Sequence, residues 1–191
     1  SYLRRDGQSH ADVVRVSSGQ HPHAIVLSCS DSRVPPEIVF DQKLGEIFTV
    51  RTAGETIDDN AVGSIEYAIE HLGARLIVVM GHTSCGAVKA AHSTLDGSSA
   101  GTPALDALVG SIHPRIKEFK GKTPSRDFEK EGWANADGVA RDLIRRSSLI
   151  GGKWEKGEVW IVPSLYELGS GKVSFHENLV MESKRTPASA K

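Results

Sequence analysis

Two cysteines, Cys29 and Cys85, are the only thiols in this 191-residue chain, and each stands in a run of polar groups able to do chemistry. The first run reads Ser28-Cys29-Ser30-Asp31-Ser32-Arg33 and the second Gly81-His82-Thr83-Ser84-Cys85-Gly86. A lone pair of cysteines could form one disulfide in an oxidising compartment, or act as metal ligands or nucleophiles in a reducing one. Cys, Cys and His together suit Zn²⁺, and three protein ligands leave a fourth position open for water, as catalytic rather than structural zinc sites do. His82 and Cys85 fall at the expected start of a helix, whose exposed N–H groups and positive dipole end favour the Cys85 thiolate. A nucleophilic Cys85–His82 pair is the alternative chemistry. Three residues apart across a helix start, however, the two side chains face one ligand more easily than each other.

These residues need elements to bring them together. Four apolar runs, Ala24–Leu27, Ile47–Val50, Leu76–Met80 and Val159–Val162, are β-branched or aliphatic and too short for helices. Their unbroken apolar character is what a parallel sheet covered on both faces demands, so the expected fold is α/β. It has a central, mostly parallel sheet of four strands flanked by helices, with an antiparallel edge strand at Lys172–Phe175. Cys29 follows the first run and His82 the third. In open α/β sheets ligands bind beyond the carboxyl ends of the strands, so the two loops can meet. Ile65, Ala68, Ile69 and Leu72 recur at helical spacing and predict a crossover helix from about residue 59 to 72, with Asp58 or Asp59 capping its start and Gly73 suited to the turn after it. Further helices are predicted over Gly86–Leu95, Ala104–Phe119 and Ala136–Ser147. Lys120–Asn135 reads as a surface loop, with room for a short helical turn of its own and no evident chemistry, and 186–191 as a loose tail.

Cys-x-Asp-x-Arg followed by His-x-x-Cys resembles the signature of the β-class carbonic anhydrases, and all five positions match at Cys29, Asp31, Arg33, His82 and Cys85. The resemblance extends through Val34–Ile38, Phe48–Gly54 and Gly63–Ala68, and more weakly to Glu167–Val173, so it covers most of the chain. It implies one Zn²⁺ per subunit on Cys29, His82 and Cys85. It implies that Asp31 pairs with Arg33, or becomes a fourth ligand in a closed, inactive state. It also implies substrate contacts from Gln20, Phe48, Tyr67 and Gly86, with Phe48 and Tyr67 reaching the site across a homodimer interface. Gln20 stands where the plant-like branch has its substrate-donating Gln. Val26 stands where the bicarbonate-regulated branch carries Trp, so the resemblance is to the plant-like branch with an accessible site. The family's longer N-terminal helical arm, which embraces the partner subunit, is largely missing from the stretch before Gln20.

The implied activity is the reversible hydration of CO₂ to bicarbonate and a proton, in which zinc acidifies a bound water whose hydroxide attacks CO₂. Two thiolate ligands make the metal a poorer acid than three histidines do, and Asp31, held by Arg33, is expected to compensate as hydrogen-bond acceptor. Two rivals keep the zinc: hydrolysis of CS₂ or COS at the same ligands, and a non-catalytic zinc-stabilised scaffold with Asp31 permanently filling the fourth position. A formal net charge of -1 without a dense basic stretch argues against nucleic acid. No apolar run approaches the ~20 residues of a membrane span, and no signal-peptide core precedes the fold. Residues 1–191 are therefore expected to form one domain, placed in the cytoplasm unless an export or organellar signal was removed. The seven histidines other than His82 lack ligand-like neighbours, although His21-x-His23 lies near enough in sequence to shuttle protons.

Overall fold

In the computed structural model, which describes residues 9–176, the apolar runs become the strands of one five-stranded sheet. Strands β1 (Ala24–Cys29), β2 (Ile47–Thr52), β3 (Leu76–His82) and β4 (Trp160–Glu167) are parallel, in the order β2-β1-β3-β4, and β5 (Lys172–Phe175) pairs antiparallel with β4. The expected fold class is thus the observed one. All six residues of β1, and all of β3 but Leu76, are buried, as strands covered on both faces must be.

Side-chain alternation splits the core in two. Ile25, Leu27, Ile77, Val79 and Ile161 point to one face, where they meet Ile65, Ala68 and Ile69 of α3 (Asp59–Leu72) and Val139 and Leu143 of a long helix late in the chain. Val26, Val78 and Met80 point to the other face and pack with Val34, Cys85 and Val88. The α3 boundaries follow the expected signals. Asp58 accepts from the Ala61 N–H at the start, and Gly73 ends the helix in the left-handed conformation at φ 72°.

Two stretches depart from expectation. The polar segment Lys120–Asn135 is loop only in its first half. The long helix, numbered last but one, begins at Glu129 rather than Ala136 and runs to Arg146, with Glu131, Gly132 and Asn135 buried. A further helix, Ser148–Glu155, follows directly and was not expected. The remaining helices are α1 (His10–Val16), α2 (Pro36–Val39), α4 (Gly86–Ser93) and α5 (Pro103–Ile116), so that Glu129–Arg146 is α6 and Ser148–Glu155 is α7. Among the described residues no helix is long and apolar enough to cross a membrane. The 186–191 tail lies outside the described residues.

Candidate metal centre

Register brings the two polar runs together. β1 and β3 are neighbours, with Ser28 beside Met80, so Cys29 and His82 emerge at the same, carboxyl end of the sheet. After His82 the chain turns through Ser84, held at φ 54°, and enters α4 at once, which swings Cys85 back over the strand end. Two bonds hold this loop: Thr83 N–H donates to the Tyr166 carbonyl at 3.0 Å, and Ser84 N–H donates to the Asp127 carbonyl at 2.5 Å.

One ligand atom from each of Cys29, His82 and Cys85 lies within 4.8 Å of the others, and all three residues are buried. The two sulfurs are 3.9 Å apart. That is far beyond the ~2.05 Å of a disulfide and close to the separation of two thiolates bound ~2.3 Å from one tetrahedral ion. His82 Nδ1 is 2.9 Å from the Thr83 carbonyl. A carbonyl only accepts, so Nδ1 carries the proton and the lone pair is on Nε2. That Nε2 is buried without a hydrogen-bond partner, an orphan a metal ion would satisfy. Donor types, spacing and orphaned nitrogen all fit a metal.

The sulfurs titrate as a pair. Cys29 is pulled down, first by the Cys85 thiol donating to it, with the Gly54 N–H adding to this and burial opposing. Cys85 is raised, first because it keeps that proton and then through burial. His82 is lowered by burial, but the neighbouring Cys29 thiolate outweighs this and leaves it raised overall.

Asp31 sits at the rim. Its Oδ1 accepts from the Arg33 backbone N–H and Nε, both at 2.9 Å, and its Oδ2 accepts from the Arg33 terminal nitrogen at 2.7 Å. Arg33 is the main reason the carboxyl lies well below the usual carboxylate range. Oδ2 is at the same time 3.8 Å from His82 Nε2. Asp31 is therefore an ionised acceptor beside the ligand set, turned toward Arg33.

Of the other expected substrate residues, Gly86 directly follows Cys85, whereas Gln20, Phe48 and Tyr67 are not gathered beside the ligands within one chain. Gln20 is exposed and lines a surface cleft of about 550 Å³ with Glu37, Lys43 and Leu44. Phe48 pairs with Ile25, four positions before the Thr52 that lies beside Cys29, and its ring is 6.5 Å from that of Tyr67. Gly86 is exposed at the first position of α4, where a Cβ would meet nothing. His21 and His23 are exposed at the opposite, amino end of β1.

Three residues with evident work at this site carried no assigned role in the sequence. Arg51 donates from Nε to the Cys29 carbonyl at 3.0 Å and from its terminal nitrogen to the Asp31 carbonyl at 2.6 Å, fixing the loop backbone. Its place inside the Phe48–Gly54 match was the available signal. Glu55 is wholly buried at φ 44°, and burial first of all pushes its carboxyl up to about 8. Asn135, also wholly buried, donates to Glu55 Oε1 at 2.6 Å from 80 residues away, and no local pattern announces it.

A thiolate and imidazole metal site at the carboxyl end of a parallel sheet is the class that fold and geometry define. Residues 24–173 match the carbonic anhydrase family, and the chain belongs to that family. It is 42% identical over 164 residues to a carbonic anhydrase of Mycolicibacterium smegmatis, covering 86% of this chain and 79% of the relative. It is 41% identical over 165 residues to carbonic anhydrase 2 of Mycobacterium tuberculosis, with the same coverage. The fold matches the β-carbonic anhydrase CafA of Aspergillus fumigatus with a TM-score of 0.78 at 24% identity, over 93% of this chain and 86% of that one. It also matches a tetrameric β-carbonic anhydrase of Sordaria macrospora with a TM-score of 0.76 at 19% identity, over 91% and 90%.

Proposed function

We propose that the chain is a zinc-dependent carbonic anhydrase of the accessible-site, plant-like branch, which reversibly hydrates CO₂ to bicarbonate and a proton. The observation that carries this reading is the convergence of Cys29, His82 and Cys85 within 4.8 Å beside an Asp31 already engaged by Arg33. Cys29, His82 and Cys85 would hold the zinc, which when bound supplies an acidified water as nucleophile. Asp31 accepts a hydrogen bond from the reacting group and orients it, while Arg33 keeps the carboxylate ionised and turned away from the ligand set. Arg51 holds the backbone of both Cys29 and Asp31, so that donor and acceptor keep their spacing. Gly86 lies beside Cys85, and Gln20, Phe48 and Tyr67, which do not reach the ligands within one chain, would complete the substrate pocket in an assembly of two copies.

Stopped-flow CO₂ hydration with and without a chelator tests the reading. Activity should vanish on metal removal and return with zinc, and Cys29→Ser or Cys85→Ser should lose most bound metal. A zinc-loaded chain that hydrolyses CS₂ or COS but leaves CO₂ untouched would move the assignment to that chemistry. Full metal occupancy in either serine variant would refute the ligand set.

A further inference from the structure

The Cys29 sulfur is held by a relay that begins far from it in sequence. Gly54 N–H donates to Cys29 Sγ at 3.3 Å. Gly54 has no freedom of its own: its φ is 67°, and a Cβ there would stand 2.9 Å from both Ala87 Cβ and Ile112 Cδ1. The Gly54 carbonyl accepts from Asn135 Nδ2 at 2.8 Å, and the same amide donates to Glu55 Oε1 at 2.6 Å. On its other side Asn135 Oδ1 accepts from Arg115 at 3.3 Å, and Arg115 is paired with Asp142 at 2.8 Å. The Arg115 stem lies across Gly138, where a Cβ would come within 2.6 Å of it.

This arrangement fixes the amide unambiguously. Arginine offers only donors and a peptide carbonyl only accepts, so Oδ1 faces Arg115 and Nδ2 faces Gly54 and Glu55. With both its hydrogens and its oxygen engaged and no exposed surface, Asn135 cannot turn without leaving partners unpaired.

We infer that Asn135 is a positioning residue for the metal-binding thiolate: by clamping the Gly54 carbonyl it aims the Gly54 N–H at Cys29 and thereby sets how strongly that sulfur donates to a bound metal. An N–H···S bond draws electron density from a thiolate, and partners one step beyond the ligands tune metal sites in this way. This inference rests on Cys29 being a metal ligand, as proposed above.

Cobalt substitution supplies a readout separate from turnover, because thiolate-to-cobalt charge transfer reports directly on sulfur donor strength. In Asn135→Ala the band should move to longer wavelength, and kcat/KM for CO₂ should fall about 10-fold with a raised apparent pKa. If Asn135→Ala fails to fold, Asn135→Ser, whose hydroxyl and freed space admit a water, carries the same readouts. A variant that binds cobalt with band position and pH profile unchanged, losing only thermal stability, would show Asn135 to be packing alone. A parent protein that binds no cobalt, or shows no charge-transfer band, would overturn the ligand assignment and this inference with it.

Discussion

Asp31 can face only one partner set at a time, and three hydrogen bonds to Arg33 decide which. Arg33 is half exposed, so the charge attraction is screened, and the fork geometry with its backbone N–H does most of the holding. Because Arg33 keeps the Asp31 pKa low, Asp31 stays ionised across roughly pH 6–9 and contributes no inflection of its own there. The rate should therefore rise with pH without a contribution from Asp31, through an apparent pKa above the ~7 of a three-histidine zinc site because two thiolates make the metal less acidic. Asp31→Asn keeps the shape and removes the charged acceptor. It should lower kcat/KM for CO₂ by a factor on the order of 10²–10³ with metal content unchanged. A variant as fast as the parent over that pH range would remove Asp31 from the mechanism. At this scale the sequence was readable where function is written in short spacings, as in Cys29-x-Asp31-x-Arg33 and His82-x-x-Cys85. It was silent on Asn135 and Glu55, because a buried polar residue is explained only by its partner, here 80 positions away.

At the scale of elements, the sheet was legible because unbroken β-branched runs leave little choice of structure, and α3 because both its caps are marked by residue type. The start of α6 was not legible, since Glu129–Asn135 is polar in composition. Glu131 is nevertheless buried, with the Ser125 backbone and hydroxyl donating to it. Helix α7 hides behind two glycines of poor propensity. One of them, Gly151, is required by packing, for a Cβ there would stand 2.7 Å from the Ile144 carbonyl. The turn Ala53–Glu55, which joins β2 to the core of helices α4 and α5, shows the same tertiary control. Gly54→Ala meets both a left-handed backbone and two methyl contacts at 2.9 Å, and should cost roughly 2–4 kcal/mol. Gly73→Ala has a comparable φ of 72° but open space, and should cost only about 1 kcal/mol. Urea unfolding of the two variants checks this. Equal losses would mean that backbone strain, and not the close approach to Ala87 and Ile112, makes position 54 special.

For the whole molecule, the question is why aromatic residues expected at the site lie off it. Tyr67 is 48% exposed on α3, its ring tilted against Phe48 and against His71, whose ring centroid is 4.9 Å away. Ile38 at 56% and Leu44 at 45% are also open to solvent. Singly exposed apolar side chains are ordinary, but Tyr67 with Phe48 beside it gives an aromatic pair that a second copy of the chain could cover. Closed two-fold assemblies are the commonest way to cover such a surface with a second copy of itself. Under the proposed function each chain would lend Phe48 and Tyr67 to the other's pocket, which would be incomplete in a monomer. Sedimentation should therefore give a mass of at least twice 20.5 kDa. Tyr67→Asp, which places a charge on this face without touching Cys29, His82 or Cys85, should shift the protein toward monomer and lower CO₂ hydration while each chain still binds its metal. If Tyr67→Asp is a monomer as active as the parent, the pocket is complete within one chain, and Phe48 and Tyr67 are ordinary packing residues.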